Sequence, residues 1–237
     1  MIQISNLTKV YQKTLALDSV SFSFENGKIY GLLGGNGAGK TTLINILTNR
    51  IIKTSGEILV DGQPVEENEA VQGKIFCITE KANYPGSLNA SELFRWEKEF
   101  YPQFDIPYAE AWAEKFELPL KKKISSLSTG YSTILKTILT LASHCEIMVL
   151  DEPVLGIDSL YREMFYDALL EYHQKHKNLI IIATHLIDEV ERVLENVVVI
   201  SKGRILKAGP ISDFVSDGKR LNETYVQILK EGKNGTL

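Results

Sequence analysis

The sequence predicts an α/β protein with a parallel sheet, an antiparallel β subdomain near its start and an α-helical subdomain inserted in the middle. Three observations predict it. Short buried strands alternate with helices through the last third of the chain, the pattern of a parallel sheet. Residues 1 to about 80 place apolar side chains at strand spacing between turn signals. The stretch between them has a helical period.

The first strands are marked by Ile2, Ile4 and Leu7, then Val20, Phe22 and Phe24, with Asn26-Gly27 as a turn. Ile29–Leu33 is a short apolar run before a glycine cluster and a helix over Lys40–Thr48. Ile58-Leu59-Val60 followed by Asp61-Gly62 repeats the strand-and-turn pattern. From Asn83 to about Leu141, Asn89 and Glu92 form a capping pair. Phe94, Trp96, Phe100, Tyr101, Phe104, Tyr108, Trp112 and Phe116 read there as the core of a small helical lobe rather than a binding platform. Strands over Glu146–Leu150, Leu179–Ala183, Asn196–Ser201 and Arg204–Lys207 alternate with helices over Leu160–Tyr172 and Ile187–Leu194. Two short helices and a frayed polar tail over Gly232–Leu237 follow Ile211.

At 237 residues, with 44% hydrophobic and 24% charged composition, the chain is long enough for one large core or two modest lobes. A net charge of −4 disfavours nucleic acid as the main partner, since counterion release would add little. No apolar run approaches the roughly 20 residues a membrane helix needs, and the N-terminus lacks the plan of a signal peptide. Cys77 and Cys145 stand in apolar surroundings without CxxC spacing, so they read as reduced core thiols. A soluble, cytoplasmic protein is expected.

The chemistry is concentrated in Gly34-Gly35-Asn36-Gly37-Ala38-Gly39-Lys40-Thr41, a complete GxxxxGK[ST] between a buried strand and a helix that Thr42 continues. Glycines let main-chain N–H groups turn inward around phosphate oxygens. Lys40 supplies a point charge to the β- and γ-phosphates, the Thr41 hydroxyl is a ligand for Mg²⁺, and the helix start adds partial positive charge. Ile147–Leu150 then delivers Asp151 and Glu152 at the C-terminal edge of a buried strand. Asp151 would hold Mg²⁺ through its water shell, and Glu152 would polarise the attacking water. Alone, such a pair also fits a solvated turn.

With Leu127-Ser128-Thr129-Gly130-Tyr131, Val149–Pro153, Gly156-Ile157-Asp158 and Thr184-His185 in this order, nearly the whole chain resembles the ABC ATPases. The resemblance implies a RecA-like P-loop NTPase core with its β subdomain over residues 1–80 and 142–210. It places a helical subdomain at 81–141 and C-terminal helices with a tail at 211–237. It further implies ATP and Mg²⁺ as cofactors, and a second ATPase subunit (identical or not) facing the first head to tail. A separate transmembrane permease is implied too, with the chain peripheral on the cytoplasmic face of the membrane. Within that frame Tyr11 stacks on adenine, and Gly34, Asn36, Gly37, Ala38, Gly39, Lys40, Thr41 and Thr42 form the phosphate loop. Glu152 is the catalytic base, and His185 the switch histidine on the γ-phosphate. Ser128 and Gly130 reach the γ-phosphate across the interface, and Asp158 crosses to the other subunit.

Three departures from the family pattern stand out. Gly35 replaces a proline, which should loosen the loop while keeping its donors. Thr129 and Tyr131 stand in LSTGY where LSGGQ is usual. A Cβ at Thr129 would penalise a positive φ and crowd the phosphates, so slower hydrolysis or weaker closure is expected. Glu80 occupies the place of a glutamine that senses Mg²⁺, and reads either as a Mg²⁺ ligand or as a solvent-facing loop residue. LSTGY together with Glu80 resembles the ATPase subunits of small bacterial drug or peptide exporters. Two alternatives accompany that reading. One is a soluble ABC-type ATPase acting on ribosomes or DNA, against which stand the single cassette and the lack of a heptad tract or basic arm. The other is a weakly active partner in a heterodimer.

Overall fold

A computed structural model describes residues 1–79, 84–215 and 218–233. In chain order the elements are β1 (Ile2–Tyr11), β2 (Thr14–Phe24), β3 (Ile29–Leu33), α1 (Lys40–Leu47), β4 (Ser55–Val60), β5 (Gln63–Pro64) and α2 (Glu69–Gln72). Next come β6 (Ile75–Ile78), α3 (Ala90–Phe100), α4 (Ile106–Lys115), α5 (Thr129–Ala142), β7 (Ile147–Asp151) and α6 (Ser159–His176). The chain finishes with β8 (Leu179–Thr184), α7 (Ile187–Val190), β9 (Asn196–Ser201), β10 (Arg204–Pro210) and α8 (Leu221–Lys233). Met1–Gln72 and Lys177–Leu237 make one compact unit, and Gly73–His176 a second.

The first unit is mostly β. β1 pairs antiparallel with β2 and β4, and β4 with β5 through Asp61 and Gly62, both at positive φ as a tight two-residue hairpin requires. This is the antiparallel β subdomain the sequence predicts. Beside that sheet, β3 lies between β8 and β9, parallel to both, and β9 pairs antiparallel with β10. All five residues of β3 and all six of β8 are buried, as expected for parallel strands covered on both faces. The predicted helix over Ile187–Leu194 is only one α-turn followed by a 3₁₀ turn at Glu191–Val193. The apolar face of Ile187, Val190 and Leu194 is buried even so.

The second unit is mostly α around the parallel pair β6–β7. Asn89 caps α3 in a complete capping box. Its Oδ1 accepts from Glu92 N–H at 3.0 Å, and Glu92 Oε2 accepts from Asn89 N–H at 2.8 Å. Phe94, Phe104, Trp112 and Phe116 are buried, so the helical-core reading holds for them. It fails for Trp96 and Phe100. They are 42% and 60% exposed, and pack edge-on against each other with ring centroids 4.8 Å apart. Cys145 is buried and Cys77 half-buried, and neither is in a disulfide.

Candidate functional site

In the first unit, the phosphate loop is shaped by main-chain crowding. β3 ends at Leu33, and a Cβ at Gly34 would lie 2.5 Å from Ile200 O, so only glycine fits there. Gly39 precedes α1 with φ 112°, and its Cβ would meet Ala16 O at 2.9 Å. No side chain caps α1 and no acidic residue occupies its first turn, which leaves its leading N–H groups and partial positive charge for an anion. Lys40 is buried at 6% exposure, and its Nζ donates to Gly34 O at 2.6 Å and Gly35 O at 3.4 Å. Asn36, Gly37 and Thr41 are exposed, Thr42 is half-buried, and Ala38 is buried with its N–H on Gly35 O at 3.1 Å.

The parallel register brings His185 to this loop's edge of the sheet. Leu33, just before Gly34, is the cross-strand partner of Thr184, just before His185. Thr184 is fully buried, and its Oγ1 accepts from Leu186 N–H at 3.0 Å, turning the chain so that His185 is exposed. Tyr11 closes β1 at 42% exposure, with Lys9 Nζ 4.8 Å from its ring centroid.

The second unit gathers its groups around a cavity of about 340 Å³, whose lining includes Thr129, Thr133, Lys136, Thr137, Asp151 and Glu152. Asp151 is the buried last residue of β7. Glu152 follows at φ 53°, a left-handed conformation rare for a residue with a side chain. Ser128 caps α5, accepting from Tyr131 N–H at 3.3 Å, and it is exposed with the helix start behind it. Gly130 lies in the first turn of that helix. Asp158 has a capping duty of its own, since its Oδ1 accepts from the N–H groups of Leu160 and Tyr161 at 3.0 and 3.1 Å at the start of α6. Glu80 falls outside the described residues.

Thr129 departs from expectation. It is the first residue of α5 and has no positive φ, so no backbone penalty arises there. Its methyl instead packs on Gly156, where an added Cβ would stand 2.8 Å from Thr129 Cγ2. Lys136 Nζ donates to Thr79 O at 3.2 Å. The polar stripe of Thr129, Thr133, Lys136, Thr137 and Thr140 recurs at helical spacing, a sequence signal that could have located the cavity wall.

Among the described residues no three His, Cys, Asp or Glu side chains gather to hold a metal ion. Mg²⁺ delivered with phosphates needs only one or two protein oxygens and keeps several waters. The exposed Thr41 hydroxyl and the Asp151 carboxylate on its cavity are donors of that kind.

The family model described as ABC transporter matches residues 17–155. Among similar relatives is the ABC transporter ATP-binding protein YtrB of Bacillus subtilis, 29% identical over 96% of this chain and 76% of that protein. The tungstate uptake system ATP-binding protein TupC of Peptoclostridium acidaminophilum is 30% identical, over 87% of this chain and 97% of its own length. The bacitracin transport ATP-binding protein BcrA of Bacillus licheniformis is 29% identical over 99% and 76%. Of solved structures, an ATP-binding subunit of an ABC transporter superposes with a TM-score of 0.87 at 23% identity, covering 97% of this chain and 99% of that one. A dimeric post-hydrolysis state of the ATP-binding cassette MJ0796 with ADP and Pi gives 0.80 at 21%, over 89% and 99%.

Proposed function

The chain belongs to the ABC transporter family as an ATP-binding, ATP-hydrolysing subunit, and from that premise we propose that it dimerises around two ATP molecules to drive a separate membrane permease. The observation that carries this reading is the exposed, Ser128-capped start of α5. The chain owns a complete phosphate loop, so a second anion-seeking helix start on its surface is suited to the nucleotide held by another copy. In this reading Lys40 and the loop's N–H groups bind the phosphates, and Tyr11 stacks on the base. Thr41, Glu80 and Asp151 hold Mg²⁺. Glu152 orients and deprotonates water, His185 contacts the γ-phosphate, and Asp158 reaches across the interface. Residues 81–141 form the arm that engages the permease, and the chain works on the cytoplasmic face of the membrane. No helix among the described residues is long and apolar enough to cross a membrane, in keeping with a permease on another chain.

Export of a drug or peptide is the transport direction we propose. The likeness to the bacitracin transport protein over almost the whole chain supports it, while the likeness to the tungstate uptake protein is the strongest counterweight. Replacing Glu152 by Gln should lower kcat by about 10²–10⁴-fold, the usual contribution of a general base. It should also convert the protein to a dimer when ATP and Mg²⁺ are added, read by light scattering. A variant that stays monomeric at high protein concentration with saturating ATP would overturn the dimer motor.

A further inference from the structure

His185 stands between one element that is rigid and one that is not rigid by itself. Before it, β8 is buried throughout and paired along its length with β3. After it, α7 is a single turn of four residues, continued only by the 3₁₀ turn at Glu191–Val193. One helical turn fixes about six backbone angles for a single hydrogen bond, so a helix this short does not hold its shape alone. Its support has to come from elsewhere in the fold.

That support is α8. Asn222 Nδ2 donates to Asp188 Oδ2 at 3.1 Å, three residues beyond His185. Leu221 N–H donates to Glu191 Oε2 at 3.4 Å. The two helices pack together, with Ile187, Val190 and Leu221 all buried. α8 has 13 residues and is anchored independently of α7. Thr224 Oγ1 donates to Phe214 O at 2.6 Å, and a Cβ at Gly232 would lie 2.9 Å from Leu206 Cδ1 of β10. The long helix therefore lends its fixed position to the short one, and Asn222 is the side chain through which it does so.

We propose that Asn222 is a positioning residue for ATP hydrolysis: by tying α7 to α8, it fixes the chain just beyond His185 and so the placement of that histidine against the γ-phosphate. The proposal rests on the role given to His185 above. Asn222 acts on the rate of the step and not on nucleotide affinity, which the phosphate loop sets.

Asn222→Ala should lower kcat by about 2- to 10-fold, the range one hydrogen bond is worth, with KM and the calorimetric affinity for ADP unchanged. In the nucleotide-free variant the Glu189 amide, which donates to Leu186 O at 3.3 Å, should exchange several-fold faster while β3 and β8 stay protected. Asp188→Ala should lose as much rate as Asn222→Ala, and the double variant no more than either. Asp188→Asn keeps an acceptor oxygen and should keep most of the rate. Gln227→Ala is the control for helix propensity, since that exposed side chain bonds Glu231 on α8 itself, and it should leave every readout unchanged. In a His185→Ala background, Asn222→Ala should cost nothing further. An unchanged Glu189 exchange rate, an unchanged kcat, or an equal loss of kcat in the His185→Ala background would overturn the proposal while leaving the role of His185 intact. A kcat indifferent to His185→Ala would sink that role, and the proposal with it.

Discussion

The candidate groups of the two units are built from different materials. In the first unit the phosphate loop is a main-chain construction: Gly34 and Gly39, where a Cβ would strike backbone, an uncapped helix and one buried lysine resting on carbonyls. In the second unit the groups are side chains: two carboxylates, a lysine and a stripe of hydroxyls around a cavity, with a capping serine on the surface. A main-chain site tolerates almost no substitution but also offers nothing to titrate. A side-chain site is adjustable, and correspondingly exposed to pH and to mutation. In the proposed function, one unit fixes where phosphate is held, while the other has room to tune what happens to it.

That contrast is breakable by experiment. The largest effect is expected at Lys40, the only charged side chain buried in the loop. Lys40→Met should abolish measurable ATP binding, a loss of at least about 100-fold for removal of a charge-assisted contact (~3 kcal/mol). Stability in the absence of nucleotide should be little changed, because the Gly34 and Gly35 carbonyls that Lys40 serves can be served by water. A comparable loss of melting temperature would show that the loop is held up by its lysine rather than by its main chain.

Next is the pH response of the second unit. Burial in α3 pushes the Glu97 carboxyl up to about 7 from an ordinary 4.5. A carboxyl whose folded pKa is raised is protonated in the folded chain while the unfolded chain is already ionised. Stability from this group is therefore full below about pH 4.5 and falls as pH rises to 7, by about 3 kcal/mol in all. Amide exchange should show α3 and its neighbours losing protection between pH 5 and 8, with the β sheets of the first unit unaffected. Glu97→Gln should flatten the profile. A pH-independent α3 would remove this asymmetry between the units.

The smallest effect is at Thr129. Its methyl packs on Gly156, so Thr129→Gly should free both segments and raise the ATPase rate by up to about tenfold, a barrier lowered by ~1.4 kcal/mol. An unchanged rate would mean that the side-chain half is not limited there, and would take away the ground for calling LSTGY an impaired variant.

The sequence was most legible where a local rule had no rival. Strand β3, helix α1 and the Asn89 capping box follow from patterns that burial, glycine crowding and capping enforce within a few residues. Reading weakened where tertiary contact decides. The α7 helix stops after one turn, although its apolar face continues to Leu194. Trp96 and Phe100 leave the aromatic core because helical spacing alone does not say how wide the buried face is. At Thr129 the expected backbone penalty vanished because the segment is already helix.

Glu152 has a consequence for how this protein can drift. Its left-handed backbone costs of order 1 kcal/mol or more, which an asparagine or glycine at the same position would recover in large part. Selection for robustness alone would therefore pull this position away from glutamate. A chain that keeps the residue carries a small standing instability at the head of its cavity. Heat-tolerant descendants chosen without regard to turnover should lose the carboxylate there before they lose the fold.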